Sequence, residues 1–121
     1  MSNVLETLEQ VKKEMGAFAE ASPKVTRALG QMHHAACKDG GLDFKTMELI
    51  TIAVAVARKC EPCILSHVAM AVEAGATREE LAAALNAAVL ICGGPGWAYA
   101  GKALVAFDEI AAAKNKPAAE A

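Results

Sequence analysis

Residues 48–67 read ELITIAVAVARKCEPCILSH and constrain the fold more than any other part of the chain. Within them, residues 50–56 are apolar, largely β-branched and nearly alternating, which on propensity alone predicts a strand. Glu61-Pro62 instead indicates the start of a helix, because proline lacks the N–H that would be unpaired at the first helical positions. The local pattern therefore leaves residues 50–56 open between a strand and a buried helix.

The same stretch contains two cysteines and a histidine at a chemically useful spacing. Cys60 and Cys63 form a C-x-x-C pair, which can close into a disulfide and reopen within one turn of backbone. His67 lies four residues after Cys63, on the same face of a helix, where it can accept the thiol proton. The helix start and the neighbouring Arg58 and Lys59 favour a thiolate, so we expect a lowered thiol pKa and redox chemistry.

Glu48 is a carboxylate at the edge of this apolar run, twelve residues before Cys60. A carboxylate in such a position is either exposed at the start of a helix or buried with a partner. Burial would raise its pKa and suit it for proton transfer. Taken alone, an exposed carboxylate at a helix start is the simpler interpretation.

These residues form a specific signature: a glutamate, eleven residues, C-x-x-C, three residues and a histidine. At Glu48, Cys60, Cys63 and His67 the chain resembles the AhpD-like branch of the carboxymuconolactone decarboxylase superfamily, position by position. The resemblance covers roughly residues 25–110, and its other matching parts are residues 42–49, residues 73–77, and Gly93-Gly94 with Tyr99. Some peroxidase members carry a further histidine between the two cysteines, where this chain has Glu61-Pro62.

The resemblance implies an all-α, compact domain of about six helices, in which residues 50–56 form a buried helix. It also implies a thiol-disulfide oxidoreductase with peroxidase or antioxidant activity. In that chemistry the Cys63 thiolate attacks a peroxide oxygen or a partner disulfide, while His67, with Glu48 and a water, relays the proton. Cys60 then closes the Cys60–Cys63 disulfide, which an external dithiol reopens, either a lipoyl group or a thioredoxin-like protein. The mechanism requires no metal and no tightly held organic cofactor.

Three other functions fit parts of the sequence. His34 and Cys37, with Cys60 and Cys63, supply four ligands at spacings that structural zinc sites use. That site would leave the glutamate and the histidine of the signature without a role. A non-catalytic helical assembly module and decarboxylation of a muconolactone are the other two. Because the decarboxylase branch lacks the cysteine pair, the pair favours the redox branch.

Outside the signature, the simplest interpretation of each reactive side chain is structural. Cys37 and Cys92 are expected to be small buried hydrophobic residues. His33 and His34 lie near a helix end, where a solvated histidine is ordinary. Trp97 is expected to pack, and an aromatic near the thiols would also suit the wall of a substrate pocket.

Length and composition fit one domain over residues 1–121, with a core at about 25–114 and a flexible tail at 115–121. Hydrophobic residues make up 55% of the chain, above the usual ~45–50%, so we expect part of the apolar surface in subunit contacts. Related proteins form trimers or hexamers, and the resemblance therefore implies a homotrimer or homohexamer.

Charge and hydropathy argue against nucleic acid and membranes as partners. The net charge is −2 and the 12 basic residues are scattered. The apolar run 49–57 is far shorter than the ~20 residues that span a bilayer, and the first residues lack a signal pattern. We therefore expect a cytoplasmic protein, in which four cysteines are redox-active, metal-binding or buried thiols.

Helix signals recur along the whole chain. One apolar face of a first helix, capped by Ser2 or Asn3, is marked by Val4, Leu5, Leu8, Val11, Met15 and Phe18. The other signals are Pro23 starting a helix to about Cys37, a turn at 38–41, Asp43 capping a third helix, Thr77 with Glu80 as a capping box, a break at 93–96, and a last helix from Ala98 to Lys114.

Overall fold

The structure, a computed structural model, describes residues 3–38 and 40–116, and its regular structure over these residues is entirely α-helical. The six helices are α1 (Asn3–Ala21), α2 (Pro23–Lys38), α3 (Phe44–Ala57), α4 (Glu61–Glu73), α5 (Arg78–Cys92) and α6 (Gly94–Lys114). The predicted all-α class is confirmed for this part of the chain. None of these helices has the length and hydropathy that a bilayer crossing needs. Ser2, Asp39 and residues 117–121 lie outside the described residues, so the predictions made for them stay predictions.

Helix α3 lies at the centre of the fold and packs against α4, α5 and α6. Ile52 and Val56, one helical turn apart, are wholly buried in the main core, where each contributes about 1.5–3 kcal/mol. Ile50 and Val54 have the same spacing but stay exposed on the opposite side. A helix with apolar residues on two opposite faces resembles an alternating strand in its sequence, which explains the ambiguous pattern of residues 50–56.

A short junction joins α3 to α4 and fixes the position of the cysteine pair. The Lys59 N–H donates to the Val56 carbonyl and the Cys60 N–H donates to the Ala55 carbonyl, which is the pattern of a Schellman C-cap. Lys59 takes the left-handed position, with a φ of 55°, that glycine usually occupies there. Cys60 is also the N-cap of α4, so both helices hold it in place.

Two further predicted helix starts are confirmed by their side-chain hydrogen bonds. The Asp43 carboxylate accepts from the Thr46 N–H over 2.7 Å at the start of α3, and this bond lowers the pKa of Asp43. Thr77 and Glu80 form a reciprocal capping box at the start of α5. The Thr77 N–H that donates to Glu80, followed by the Lys45 ammonium, lowers the pKa of Glu80.

The last helix begins earlier than predicted. Only Gly93, with a φ of 63°, breaks the chain, and α6 starts at Gly94 and not at Ala98. Gly96 is buried against α5, where an added Cβ would lie 2.8 Å from the Ala88 carbonyl oxygen. The glycine-rich segment therefore contains the first turn of α6 and allows it to pack closely on α5.

Helix α1 buries less of its apolar face than predicted, and α2 also buries little. In α1, Leu8 and Val11 are buried, but Met15 and Phe18, predicted on the same face, are exposed. The helix has 19 residues, about 28 Å at 1.5 Å per residue, and its second half extends past the core. In α2, Cys37 is the only buried residue among those described.

Candidate functional site

Glu48 on α3 is a fully buried carboxylate at the centre of a polar cluster. Its Oε1 accepts a hydrogen bond from Nδ1 of His67 on α4, over 2.7 Å. An ionised carboxylate can only accept, so the proton stays on Nδ1 and Nε2 is the nitrogen available for chemistry. The structure thus brings two predicted site residues together. Glu48 is buried with a partner, and the simpler interpretation of an exposed carboxylate at a helix start is wrong.

The second carboxylate oxygen of Glu48 faces two side chains of α2. His33 Nε2 lies 3.6 Å from Oε2, and the Cys37 thiol donates to the same oxygen over 3.9 Å. The Cys37 sulfur is 3.8 Å from His33 Nε2, and the His33 and His67 rings stack with their centroids 5.7 Å apart. Burial, and then the charge of Glu48 and the hydrogen bond to it, raises the pKa of Cys37, so this thiol stays protonated.

From the sequence, the simplest interpretation of His33 and Cys37 was structural, and Cys37 was also a ligand of the alternative zinc site. Cys37 is buried, as expected, but His33 is more than a solvated histidine because it contacts the buried carboxylate of Glu48. The available signal was their four-residue spacing, which places both on one face of α2. That spacing does not say which helix the face meets, because the answer depends on how α2 packs against α3.

The cysteine pair is joined as a disulfide at the start of α4. The Cys60 sulfur accepts a hydrogen bond from the Cys63 N–H over 3.3 Å. Cys63 is exposed, whereas Cys60 is half-buried, so an incoming thiolate reaches Cys63 more easily. The helix start can stabilise Cys60 as a thiolate when the disulfide opens. His67 lies one turn after Cys63 on the same helix.

The four ligands of the alternative zinc site do not come together as a set. Cys60 and Cys63 bond to each other, and His34 is exposed. His33 is the histidine that accompanies Cys37. Glu48, which the zinc alternative left unused, has its carboxylate within 4.8 Å of ring nitrogens of both His33 and His67.

An open cavity of about 320 Å³ lies between α1, α4 and α6. Its walls include Glu61 and Ile64, the residues that directly follow Cys60 and Cys63 in the sequence. Lys102 on α6 also lines it and pairs with Glu61 over 3.5 Å. Most of the remaining lining is apolar.

Comparison with known proteins finds relatives over most of the chain. Residues 23–106 match the carboxymuconolactone decarboxylase family. The crystal structure of a carboxymuconolactone decarboxylase family protein from Legionella pneumophila, in its apo form, is similar with a TM-score of 0.87 and 38% identity. The similarity covers 92% of this chain and 99% of the Legionella chain.

Two sequence relatives extend the comparison. An uncharacterized protein of Cupriavidus necator is 39% identical over 103 residues, which are 85% of this chain and 91% of that protein. Uncharacterized protein 4 in the cox locus of Paracoccus denitrificans is 33% identical over 104 residues, which are 86% and 94% of the two chains. Because the family match and these relatives cover most of its length, the chain belongs to the carboxymuconolactone decarboxylase family.

Proposed function

We propose that this chain is a thiol-disulfide oxidoreductase of the AhpD-like branch of its family, which reduces peroxides or partner disulfides and acts as an antioxidant. One observation carries the proposal: the Cys60–Cys63 disulfide lies one helical turn before His67, whose imidazole is hydrogen-bonded to the buried Glu48. The disulfide, which can accept and release two electrons, thus lies at the start of the helix that carries His67, a side chain that can donate and accept a proton. Thiol-disulfide exchange needs both groups. The cysteine pair favours this branch because the decarboxylase branch lacks it.

In the reductive half-reaction, an external dithiol opens the disulfide. Its thiolate attacks the exposed sulfur of Cys63, the S–S bond breaks, and Cys60 leaves as a thiolate. The Cys63 N–H and the positive end of α4 stabilise that thiolate. The second thiolate of the dithiol then attacks the mixed disulfide and releases Cys63. The two protons of the dithiol end on the two protein sulfurs, and His67 carries them.

In the oxidative half-reaction, the Cys63 thiolate attacks a peroxide oxygen. The O–O bond breaks, His67 gives a proton to the leaving alkoxide, and Cys63 becomes a sulfenic acid. Cys60 attacks the Cys63 sulfur, the hydroxyl group leaves as water, and the disulfide forms again. When the substrate is a partner disulfide, the same two attacks transfer the disulfide bond from the partner to this chain.

Glu48 acts in this scheme through His67 and not directly on Cys60 or Cys63. By accepting the Nδ1 hydrogen bond it fixes the tautomer and orientation of the imidazole. Glu48 is therefore a positioning residue, whereas Cys60, Cys63 and His67 are the catalytic residues. The reductant is an external dithiol, and the largely apolar cavity beside Glu61 favours a lipoyl group over a thioredoxin-like protein.

Steady-state turnover with dihydrolipoamide and an organic hydroperoxide tests this function. The natural sequence should oxidise dihydrolipoamide in proportion to the peroxide or disulfide acceptor supplied, while Cys60→Ser and Cys63→Ser should lose turnover. Cys92→Ser is the matched control, because Cys92 is a free cysteine outside the pair, and it should keep full activity. Absence of turnover with peroxide and disulfide acceptors alike would contradict the proposal.

The order of the two cysteines is tested by trapping. With peroxide, Cys60→Ser should accumulate a sulfenic acid on Cys63 that dimedone labels, because the resolving thiol is missing. Cys63→Ser should give little label on Cys60. The reverse pattern would exchange the two roles, and labelling of neither would favour exchange with a protein disulfide.

We also propose that copies of this chain assemble into a homotrimer or homohexamer. Leu90 and Ile91 at the end of α5 are each 83% exposed in the single chain, and Trp97 nearby is 74% exposed. Phe18 and Met32 add exposed apolar surface on α1 and α2. Association would remove these side chains from water. Light scattering that returned a 12.5 kDa particle at micromolar concentration would overturn this proposal.

A further inference from the structure

We propose that His33, Cys37 and Glu48 form a binding site for one divalent cation of the borderline-soft class, of which Zn²⁺ fits best. The site goes beyond the proposed thiol chemistry and does not depend on it. Its three donor atoms are His33 Nε2, Cys37 Sγ and Glu48 Oε2, and each lies within 3.9 Å of the other two. The zinc site considered from sequence used His34 and the cysteine pair, so the present site has a different ligand set.

The three donor atoms have the spacing of one face of a tetrahedron. Nε2 to Oε2 is 3.6 Å, Sγ to Nε2 is 3.8 Å, and Sγ to Oε2 is 3.9 Å. Tetrahedral zinc, with bonds of about 2.0–2.2 Å to nitrogen or oxygen and about 2.3 Å to sulfur, separates neighbouring donors by about 3.3–3.6 Å. Each edge therefore needs to shorten by only a few tenths of an ångström. The 3.6 Å contact is too long for an ordinary hydrogen bond between nitrogen and oxygen, which is about 2.7–3.2 Å.

The chemistry of the donors also fits zinc. Imidazole, thiolate and carboxylate are the three ligand types that zinc accepts in proteins. His33 and Cys37 are four residues apart on α2, a spacing that directs two ligands to one metal. On binding, Cys37 loses its proton to solvent as the Zn–S bond forms, and the two negative charges of Cys37 and Glu48 balance the cation. The cation would then fasten α2 to α3.

His67 has a different position in this site. Its Nδ1 lies 2.7 Å from Glu48 Oε1, which is a hydrogen-bond distance and shorter than the edge between two ligands of one zinc ion. It therefore orients the carboxylate from outside, as hydrogen-bonded neighbours of ligating carboxylates do. The His33 side chain is 39% exposed, which gives the cation access and leaves a fourth coordination position for water.

The test uses the oxidised protein, because the Cys60–Cys63 disulfide then removes both of those thiols from competition. Zn²⁺ is titrated against a chromophoric chelator, and bound metal per chain is counted after gel filtration. The expected result is one Zn²⁺ per chain, with affinity reduced at least tenfold in His33→Ala and in Cys37→Ser. His34→Ala and Cys92→Ser are matched controls and should bind as tightly as the natural sequence.

Cobalt gives a second readout that does not require the variants to fold. Co²⁺ bound to the natural sequence should show a near-ultraviolet thiolate-to-metal charge-transfer band, because Cys37 is the thiolate ligand and the disulfide cannot supply one. The proposal is overturned if no stoichiometric metal binds at micromolar concentration. It is also overturned if the band is absent, if folded Cys37→Ser binds normally, or if Cys92→Ser abolishes the band. None of these readouts depends on turnover, so failure of this site and failure of the redox function are distinguishable.

Discussion

Replacing Glu48 with glutamine removes one charge from the buried cluster and nearly preserves the shape of the side chain. The Nδ1 hydrogen bond of His67 then goes to a neutral amide oxygen. A hydrogen bond to an ionised group contributes about 1.5–3 kcal/mol, against about 0.5–1.5 kcal/mol between neutral groups. The substitution should therefore weaken the hydrogen bond that positions His67 by about 1–1.5 kcal/mol. If that loss falls on the transition state of the proton-transfer step, the step becomes roughly tenfold slower.

His67→Ala removes the proton carrier itself, and loss of general acid–base catalysis of this kind costs about 10²-fold or more. If Glu48 acts only through His67, the double variant should be no slower than His67→Ala alone. The assay is single-turnover reduction of the oxidised protein by dihydrolipoamide at pH 7, stopped by acid and followed by alkylation and intact mass. Glu73→Gln is the control, because Glu73 is an exposed carboxylate on α4, the helix that carries His67.

Two results would refute this reasoning. A Glu48→Gln variant that folds and reduces as fast as the natural sequence would make the buried carboxylate structural. A double variant that is a further tenfold slower than His67→Ala would mean that Glu48 acts on the reaction without His67. Circular dichroism of each variant separates these outcomes from loss of the fold.

Four further predictions concern stability and are measured by urea unfolding. Lys59→Gly should raise the free energy of unfolding by about 1 kcal/mol, because a side chain in the left-handed region is strained. Gly75→Ala should lower it by a similar amount, since Gly75 has a φ of 84°; the same sign in both variants would contradict this. Ser66→Ala should raise the free energy of unfolding by about 1 kcal/mol, because the buried Ser66 hydroxyl has no hydrogen-bond partner. A lower free energy of unfolding in this variant would contradict that assignment. Because its pKa is raised on folding, the Cys37 thiol holds its proton more tightly in the folded state than in the unfolded state. The contribution of this thiol to the free energy of unfolding is therefore complete below about pH 8.5 and is lost as the pH rises further. Cys37→Ala, with metal chelated, should flatten that alkaline loss, and an unchanged profile would contradict the assignment.

Local signals predicted the helix starts well. Asp43 and the Thr77–Glu80 capping box were correct because a cap depends on side chains and backbone within three or four residues. The predicted start of α6 was wrong because a glycine serves either a positive φ or close helix packing, and the sequence does not distinguish these two roles. Gly93 adopts a positive φ, whereas Gly96 only makes room for α5.

Features that depend on tertiary packing were harder to predict. Phe18 is exposed because α1 extends past the core, and no local sequence pattern predicts how far it extends. The family resemblance supplied Glu48 and His67, and the structure adds that they are hydrogen-bonded. The contacts of His33 and Cys37 with Glu48 arise where α2 meets α3, so sequence spacing alone did not predict them.

The most direct test of the central claim, that Cys60 and Cys63 form a reversible redox couple, is an equilibrium redox titration read by intact mass. The protein is equilibrated with mixtures of lipoamide and dihydrolipoamide, and free thiols are alkylated after acid quenching. The expected result is one two-electron transition in which Cys60 and Cys63 gain alkyl groups together, reversed by peroxide and absent from Cys63→Ser. A pair that stays oxidised in excess dihydrolipoamide, or that peroxide does not oxidise again, would contradict a catalytic peroxidase cycle.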